Sequence, residues 1–402
     1  MASHPYTSLP ERSFWRSAVA ERDPLDIADL WTPKWPIGQD APVITAGSCF
    51  AGHIGRALLE EGMHWYDAEP PPPGLTAEQR SARGYRRFSF RTGNIYTAAA
   101  LRQWIAWALG SRIPPGEVWE EDGRFYDPYR PTVEPEGFAS PGELLRSREV
   151  TLAALRTALA EAEVFVFTLG LTEAWHDTER DTVLPMCPGT VRGSFDAGRY
   201  VLRNHTVSQV HEDLTEALAM ARGVNPGLRT VLTVSPVPLT ATATGRHALV
   251  ATTFSKSVLR AAAGQLADED DRVDYFPSYE IVTGLPGLPV LPAPSGDRDP
   301  SGTSGTSGTS GTSGTSGTSG TSGAPGASAS GGRRGFFEAN LRTVRPEGVA
   351  FVMGHFFRAL RGEPARTPHT PPQPPPAAGG EDHSCDDALL DYYGPRPVPP
   401  AR

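Results

Sequence analysis

Residues 42–52 read PVITAGSCFAG, and the pattern within them indicates a strand followed by a helix. The first five residues are apolar enough to form a short buried strand, and apolar side chains at helical spacing follow from Ile54 to Leu59. Ser48 is therefore predicted to lie where a strand turns into a helix. Gly47 before it allows a hydroxyl to be held at the carboxyl edge of a sheet, where open α/β folds bind their ligands.

The remainder of the chain repeats this alternation of strand and helix. Further apolar runs predict strands at residues 164–168, 230–234 and 272–276. Amphipathic patterns predict helices at residues 98–109, 152–162, 207–221, 249–266 and 349–360, whereas residues 111–142 are predicted to be irregular. Strands separated by helices of ten or more residues favour a parallel sheet covered on both faces. The predicted fold class is therefore α/β, with a doubly wound, mainly parallel sheet flanked by helices.

The 402 residues are predicted to form one domain, because the 40 prolines and 42 glycines are gathered into segments with little apolar surface to bury. Residues 301–323 repeat Ser, Gly and Thr, and with their flanks they predict a disordered insertion at 285–334. We predict an N-terminal arm at 1–41 whose aromatic side chains pack on the body. The domain spans 42–362 around the insertion, and a Pro-rich tail with a short acidic segment follows at 363–402.

Charge and cysteine content argue against several classes of protein. The formal net charge is −9, with 37 Lys and Arg against 46 Asp and Glu, so a nucleic-acid partner is not expected. No apolar run is long enough for a bilayer, and the N-terminus does not resemble a secretory signal. Cys49, Cys187 and Cys385 are scattered, which argues against a disulfide framework or a structural zinc site. We expect a reduced cytoplasmic protein without a metal or another cofactor; the oligomeric state leaves no trace in the sequence.

Ser48 is the candidate nucleophile. The helix after it would present free N–H groups and a positive dipole end, which can stabilise an oxyanion beside the hydroxyl. The alternative is that Ser48 only caps that helix. Cys49 is a rival nucleophile, but the side chain of a neighbouring residue more often points into the core.

Further segments carry a resemblance to a known family. With GSCFA at residues 47–51, the chain resembles the GSCFA family, which is related to SGNH/GDSL hydrolases. The matching segments occur in order at residues 88–96 (FSFRTGNIY), 167–175 (FTLGLTEAW), 185–189 (PMCPG), 204–207 (NHTV), 235–239 (SPVPL), 255–257 (SKS) and 276–280 (FPSYE). The resemblance implies an SGNH-hydrolase or flavodoxin-like version of the α/β fold.

The resemblance also implies roles for individual residues. Ser48 would match the nucleophile, and Gly93 or Asn94 would match the glycine block that supplies an oxyanion donor. Residues 170–173, which begin with Gly170, fall where SGNH enzymes carry G-x-N-D. Thr172 would replace the oxyanion asparagine, so Asn94 is expected to become the side-chain donor. The alternative for Asn94 is a simple turn residue after Gly93.

One block of the family pattern is missing. SGNH enzymes carry D-x-x-H near the C-terminus, and residues 340–343 (NLRT) occupy that place here. His247, in the loop after the third central strand, is the first candidate for the missing base. The other histidines in family-like segments are His53, His176 and His205, and for all four a structural, hydrogen-bonded role is the alternative. Glu173 is expected to orient a histidine, to bind substrate or to cap a helix.

Two functions remain open from the sequence. The first is a serine esterase or O-acyltransferase that acts through an acyl-Ser48 intermediate on an ester-bearing sugar or small molecule. The second is a non-catalytic binding or scaffold protein that holds a glycan or acyl ligand in the same cleft. The intact turn at Ser48 favours the first function, and the missing D-x-x-H block favours the second.

Overall fold

The structure is a computed structural model that describes residues 4–288 and 335–363. Its strands are β1 (Val43–Gly47), β2 (Trp119–Glu121), β3 (Arg124–Tyr126), β4 (Val164–Leu169), β5 (Glu173–Asp177), β6 (Thr182–Leu184), β7 (Tyr200–Asn204), β8 (Arg229–Val234) and β9 (Val273–Phe276). Its helices are α1 (Phe50–Glu60), α2 (Ala77–Ala82), α3 (Ala98–Ala108), α4 (Pro141–Glu161), α5 (Val207–Val224), α6 (Ala248–Glu269), α7 (Ser278–Thr283) and α8 (Pro346–Leu360). None of these helices combines the length and apolar character that crossing a bilayer demands.

The central sheet has four parallel strands in the order β1-β4-β8-β9. All six side chains of β4 are buried, as expected for a strand in the middle of a sheet covered on both faces. In the register, Thr168 lies opposite both Gly47 and Thr233, so the carboxyl ends of neighbouring strands are level. The predicted α/β fold with a mainly parallel sheet is confirmed.

Side chains alternate between two apolar cores, one on each face of the sheet. Ile44 and Phe165 point to the face covered by α3, α4, α5 and α6. Val43 and Val166 point to the opposite face, which is covered by α1, α7 and α8. This two-residue period is the geometry of a pleated strand, and it gives the sheet its helices on both faces.

Two small antiparallel sheets were not predicted. Strand β5 pairs with both β6 and β7, and β2 pairs with β3 within the stretch that was predicted to be irregular. The prediction missed these strands because most are only three residues long and several carry charged side chains. Glu173 opens β5, so the alternative in which it caps a helix is wrong.

The N-terminal residues pack an indole ring against the sheet. Trp31 lies 5.1 Å from both Phe276 and Phe356, measured between ring centroids, and its indole N–H donates to Asp274 Oδ2 at 3.2 Å. Trp15, by contrast, is 71% exposed. Within the predicted arm at residues 1–41, Trp31 therefore packs on the central domain, whereas Trp15 does not.

The structure also shows where the predicted insertion joins the body. Leu285–Gly287 forms a 3₁₀ turn with Pro286 and Gly287 buried, although these residues were predicted to begin the insertion. The Gly287 carbonyl accepts the Phe336 N–H at 3.0 Å, so the two flanks meet. Phe336 then packs on α8, where a Cβ at Gly348 would lie 2.8 Å from the Phe336 Cβ. The Ser-Gly-Thr repeat and the acidic tail segment lie outside the described residues.

Candidate active site

Ser48 lies between the end of β1 and the start of α1, at the carboxyl edge of the central sheet. Gly47 has a φ of +133°, and a Cβ there would come within 2.3 Å of the Thr168 carbonyl oxygen. Only glycine satisfies both the backbone angle and this close approach. The Ser48 N–H donates to the same Thr168 carbonyl at 3.0 Å, which ties the serine to the neighbouring strand.

The Ser48 hydroxyl does not cap the helix. The N-cap residue of α1 is Cys49, no side chain caps the helix, and Ser48 Oγ makes no hydrogen bond within the described residues. The capping alternative for Ser48 is therefore wrong. Because helical N–H groups point towards the N-terminus, the first turn of α1 directs its positive end towards Ser48.

Ser48 lines a cavity of about 370 Å³ at the carboxyl ends of the central strands. Residues that follow three of those strands meet there: Ser48 after β1, Gly170 after β4 and Ser235 after β8. Much of the remaining wall is apolar and includes Leu171, Trp175, Met186, Leu202, Val237 and Leu239. A mainly apolar cavity with a few convergent polar groups is the usual form of a small-molecule site.

Gly170 and Tyr96 form the wall next to Ser48. A Cβ at Gly170 would lie 3.0 Å from the Ser48 Cβ and 3.1 Å from the Tyr96 carbonyl oxygen, so there is little room for a side chain. The N–H groups of Gly170 and Leu171 both donate to that Tyr96 carbonyl, at 3.0 and 2.9 Å. The Gly170 amide is therefore already bonded, and its contribution to the cavity is the space that it leaves beside Ser48.

Lys256 and Ser255 of α6 bind the backbone of the loop between β4 and β5. The buried Lys256 ammonium donates to the Gly170 carbonyl at 2.7 Å, and the Thr172 N–H donates to Ser255 Oγ at 3.0 Å. Thr172 itself is fully buried, and its hydroxyl donates to Asn204 Oδ1 at 2.7 Å. Thr172 is not among the residues that line the cavity, and its expected place as the oxyanion residue stays a prediction.

The other expected oxyanion donors reach the cavity only indirectly. The Asn94 side-chain amide donates to the Tyr96 hydroxyl at 2.9 Å, and Tyr96 lines the cavity while Asn94 does not. Gly93 has a φ of +67°, and a Cβ there would lie 3.6 Å from the Arg130 Cβ. The structure thus joins Asn94 to the site through Tyr96, while Gly93 is not among the described residues that line the cavity. The assignment of these two residues as oxyanion donors stays a prediction.

No histidine is among the described residues that line the cavity. His247 is exposed at the N-cap of α6, where its Nδ1 accepts the Leu249 N–H at 3.2 Å. His53 lies on α1, and burial, together with Arg56 and Arg87, lowers its pKa to about 4. The structure brings neither imidazole to the wall beside Ser48.

His176 on β5 and His205, directly after β7, form a pair. Their Nε2 atoms are 3.2 Å apart, and His205 Nδ1 lies 3.4 Å from Asp213 Oδ2. Burial, with a smaller effect of Arg203, lowers the pKa of His176 to about 4. This arrangement matches the structural alternative for both histidines, since each ring contacts a polar neighbour outside the cavity.

Glu173 does line the cavity with Ser48. It is the first residue of β5, and its Oε1 accepts the Thr242 hydroxyl at 2.7 Å. Thr242 comes from the loop between β8 and α6, and its hydroxyl also lies 2.8 Å from the Thr244 hydroxyl. The predicted pair of Ser48 and Glu173 is therefore brought to one cavity, with Glu173 oriented by a threonine instead of a histidine.

Arg342 is the site residue that the sequence did not reveal. It belongs to the NLRT segment that stands in place of D-x-x-H, it is 8% exposed, and it lines the cavity with Ser48 and Glu173. The family pattern predicts a base at this place, so the sequence alone gives no reason to single out the arginine. The signal was the position of that segment, which matches the place where SGNH enzymes deliver catalytic side chains.

Comparison with protein-family models identifies the family of this chain. The GSCFA family model matches residues 42–286, from the start of β1 to the 3₁₀ turn after α7. Neither a curated protein nor a solved structure shows a significant match. The matched range covers more than half of the chain, including the strand-to-helix turn at Ser48, and the family is one of hydrolase-like domains. The chain belongs to the GSCFA family.

Proposed function

We propose that this chain is a serine esterase or O-acyltransferase that forms an acyl intermediate on Ser48. The observation that carries the proposal is the environment of the Ser48 hydroxyl. It lines a mainly apolar cavity at the sheet edge, and within the described residues its oxygen makes no hydrogen bond. A buried hydroxyl is normally satisfied, so an unsatisfied one that faces a cavity favours a role toward a ligand.

The proposed reaction has two halves. Ser48 Oγ attacks the carbonyl carbon of an ester, its proton passes to a base, and the negative charge on the carbonyl oxygen is stabilised by the first turn of α1. The alcohol then leaves with a proton, and the acyl group stays on Ser48. Water completes hydrolysis, or a second alcohol completes transfer, and either one releases the acyl group and restores the serine.

The base must accept a proton inside the cavity. Glu173 is the carboxylate that lines the cavity, whereas His247 lies outside the lining, so the arrangement favours Glu173. The hydroxyl of Thr242 donates to Glu173 Oε1 and fixes the orientation of the carboxylate. The apolar wall suits an acyl group or the apolar part of a small ester, and an ester-bearing sugar remains within the proposed substrate class.

Labelling with a fluorophosphonate tests the proposal, because this reagent phosphonylates an activated serine. We expect the intact protein to be labelled at Ser48, as mapped by mass spectrometry of its peptides. Ser48→Ala should abolish labelling, and Cys49→Ala should retain it if the serine is the nucleophile. Ser257→Ala, at an exposed serine of α6, is the matched control and should label like the native protein. Labelling at another residue would refute the assignment of Ser48.

A second candidate function is a non-catalytic binding protein for a glycan or acyl ligand. It is favoured by the replacement of D-x-x-H with NLRT and by the absence of a histidine from the described lining residues. In that case the folded protein would bind ligand but give no fluorophosphonate adduct at Ser48. The same labelling experiment therefore separates the two functions.

A further inference from the structure

We propose that Arg342 makes the Ser48 cavity selective for ligands that carry an anionic group next to an apolar part. Among the described residues that line the cavity, Arg342 is the only basic side chain and Glu173 the only acidic one. The inference rests on the proposed function in one respect, that the ligand is an ester substrate or an acyl product. The predicted binding of an anion does not require turnover.

The turn that carries Arg342 is held rigidly in place. Asn340 Oδ1 accepts the N–H groups of Arg342 and Thr343, both at 2.9 Å, and the Glu338 N–H donates to the Thr343 carbonyl at 2.8 Å. Leu341 has a φ of +53° and is 74% exposed. Leu341 therefore faces solvent, whereas Arg342 is 8% exposed and lines the cavity.

The turn is also anchored to the body. The Arg345 N–H donates to the Phe336 carbonyl at 2.8 Å, and Arg345 Nε donates to the Phe337 carbonyl at 2.8 Å. Phe336 is buried and packs on Phe351 of α8, with 5.2 Å between ring centroids. The arginine therefore enters the cavity from a fixed element, as a recognition residue requires.

The chemistry of the guanidinium identifies the ligand class. Its planar fork of N–H donors matches the two oxygens of a carboxylate or the oxygens of a phosphate, and its charge persists at all physiological pH values. The same cavity is also lined by Leu171, Trp175 and Val237, whose apolar side chains suit a short apolar chain. A cavity of about 370 Å³ with this lining fits a small amphiphilic anion.

Octanoate and octanamide are a matched pair of probes, because they have the same chain and differ in charge. We expect octanoate to raise the melting temperature of the native protein, and its Kd from titration calorimetry to be at least ten-fold lower than that of octanamide. In Arg342→Gln this preference should disappear through weaker binding of octanoate, while octanamide binds as before. Arg342→Lys should keep part of the preference, since it keeps the charge without the fork.

Three controls make the result decisive. Ser48→Ala should keep the preference for octanoate, because the proposed contact does not use the serine. The melting temperature of each variant without ligand shows that it is folded. Fluorophosphonate labelling of Arg342→Gln at Ser48 reports on the proposed function separately. Equal binding of octanoate by Arg342→Gln and the native protein, or no binding by the native protein, would overturn the anion site.

Discussion

His247 shows how a single residue can serve either structure or chemistry. Its imidazole caps α6 by accepting the Leu249 N–H, and it stands outside the described lining of the cavity. Asparagine is a good helix cap but a poor proton acceptor, so His247→Asn separates the two roles. We expect His247→Asn to keep native stability and the native rate of fluorophosphonate labelling.

His247→Ala provides the comparison, because it removes both cap and imidazole. Loss of the cap should lower the free energy of unfolding by about 1 kcal/mol, measured by urea denaturation, with the labelling rate unchanged. If both variants instead labelled a hundred-fold more slowly, His247 would be the base that the sequence suggested, and the choice of Glu173 as the base would be wrong.

The sequence pointed to Ser48 through the local strand-to-helix pattern around it, and to Glu173 through the family resemblance of residues 170–173. The contributions of Tyr96 and Arg342 could not be found in this way. Tyr96 holds the wall of the cavity through its backbone carbonyl, a group that every residue has and that the sequence therefore cannot single out. Arg342 is brought to the cavity by a turn 294 positions after Ser48 in the numbering, and that closure depends on the packing of Phe336 against α8.

At the scale of elements, the site depends on how closely the loop after β4 approaches the turn between β1 and α1. Gly170→Ala places a methyl group 3.0 Å from the Ser48 Cβ and 3.1 Å from the Tyr96 carbonyl oxygen. We expect a loss of about 2 kcal/mol in the free energy of unfolding, because a backbone atom cannot move aside cheaply. Displacement of Ser48 should also slow fluorophosphonate labelling by ten-fold or more.

Gly223→Ala is the matched control for that substitution. Gly223 lies on α5 with no atom near enough to meet an added Cβ, and alanine favours the helix by about 0.5–1 kcal/mol. This variant should be slightly more stable than the native protein and should label at the native rate. A Gly170→Ala protein that behaved like Gly223→Ala would show that the two loops are not packed as closely as described.

The parallel strands were predictable because each is a short, mainly apolar run that is mostly buried. Strand β4 (VFVFTL) shows this pattern, and the predicted range at 164–168 falls within the observed strand. Strand β5 (EAWHD) mixes charged and aromatic side chains, and it becomes a strand through pairing with β7, some thirty residues later along the chain. Non-local pairing of this kind overrides local propensity and leaves little mark in the sequence.

At the scale of the whole molecule, buried histidines make stability depend on pH. Burial, with a smaller effect of Arg358, lowers the pKa of His355 from 6.5 to about 4. Between these values the unfolded chain binds a proton that the folded chain does not. The contribution of this neutral histidine is therefore fully present above pH 6.5 and is lost as the pH falls towards 4.

His355→Phe tests this effect, since His355 packs against the Phe351 ring and its Nε2 has no hydrogen-bond partner within the described residues. Between pH 7 and pH 5 the native protein should lose about 2 kcal/mol more unfolding free energy than the variant. Urea denaturation at the two pH values measures the difference. Identical losses in both proteins would mean that His355 is protonated in the folded state at pH 5.

The hydrogen bond between Gly287 and Phe336 has a consequence for engineering. A polypeptide spliced between these residues must satisfy one geometric condition, that its ends meet at the spacing of a single hydrogen bond. Lengthening it costs little, about 0.6 kcal/mol for each doubling. The junction between Gly287 and Phe336 is thus a suitable insertion site for a reporter domain. Arg342 follows Phe336 by only six residues. An inserted domain whose ends do not fit this spacing would therefore displace Arg342, and a change in its conformation would change the ligand preference of the cavity.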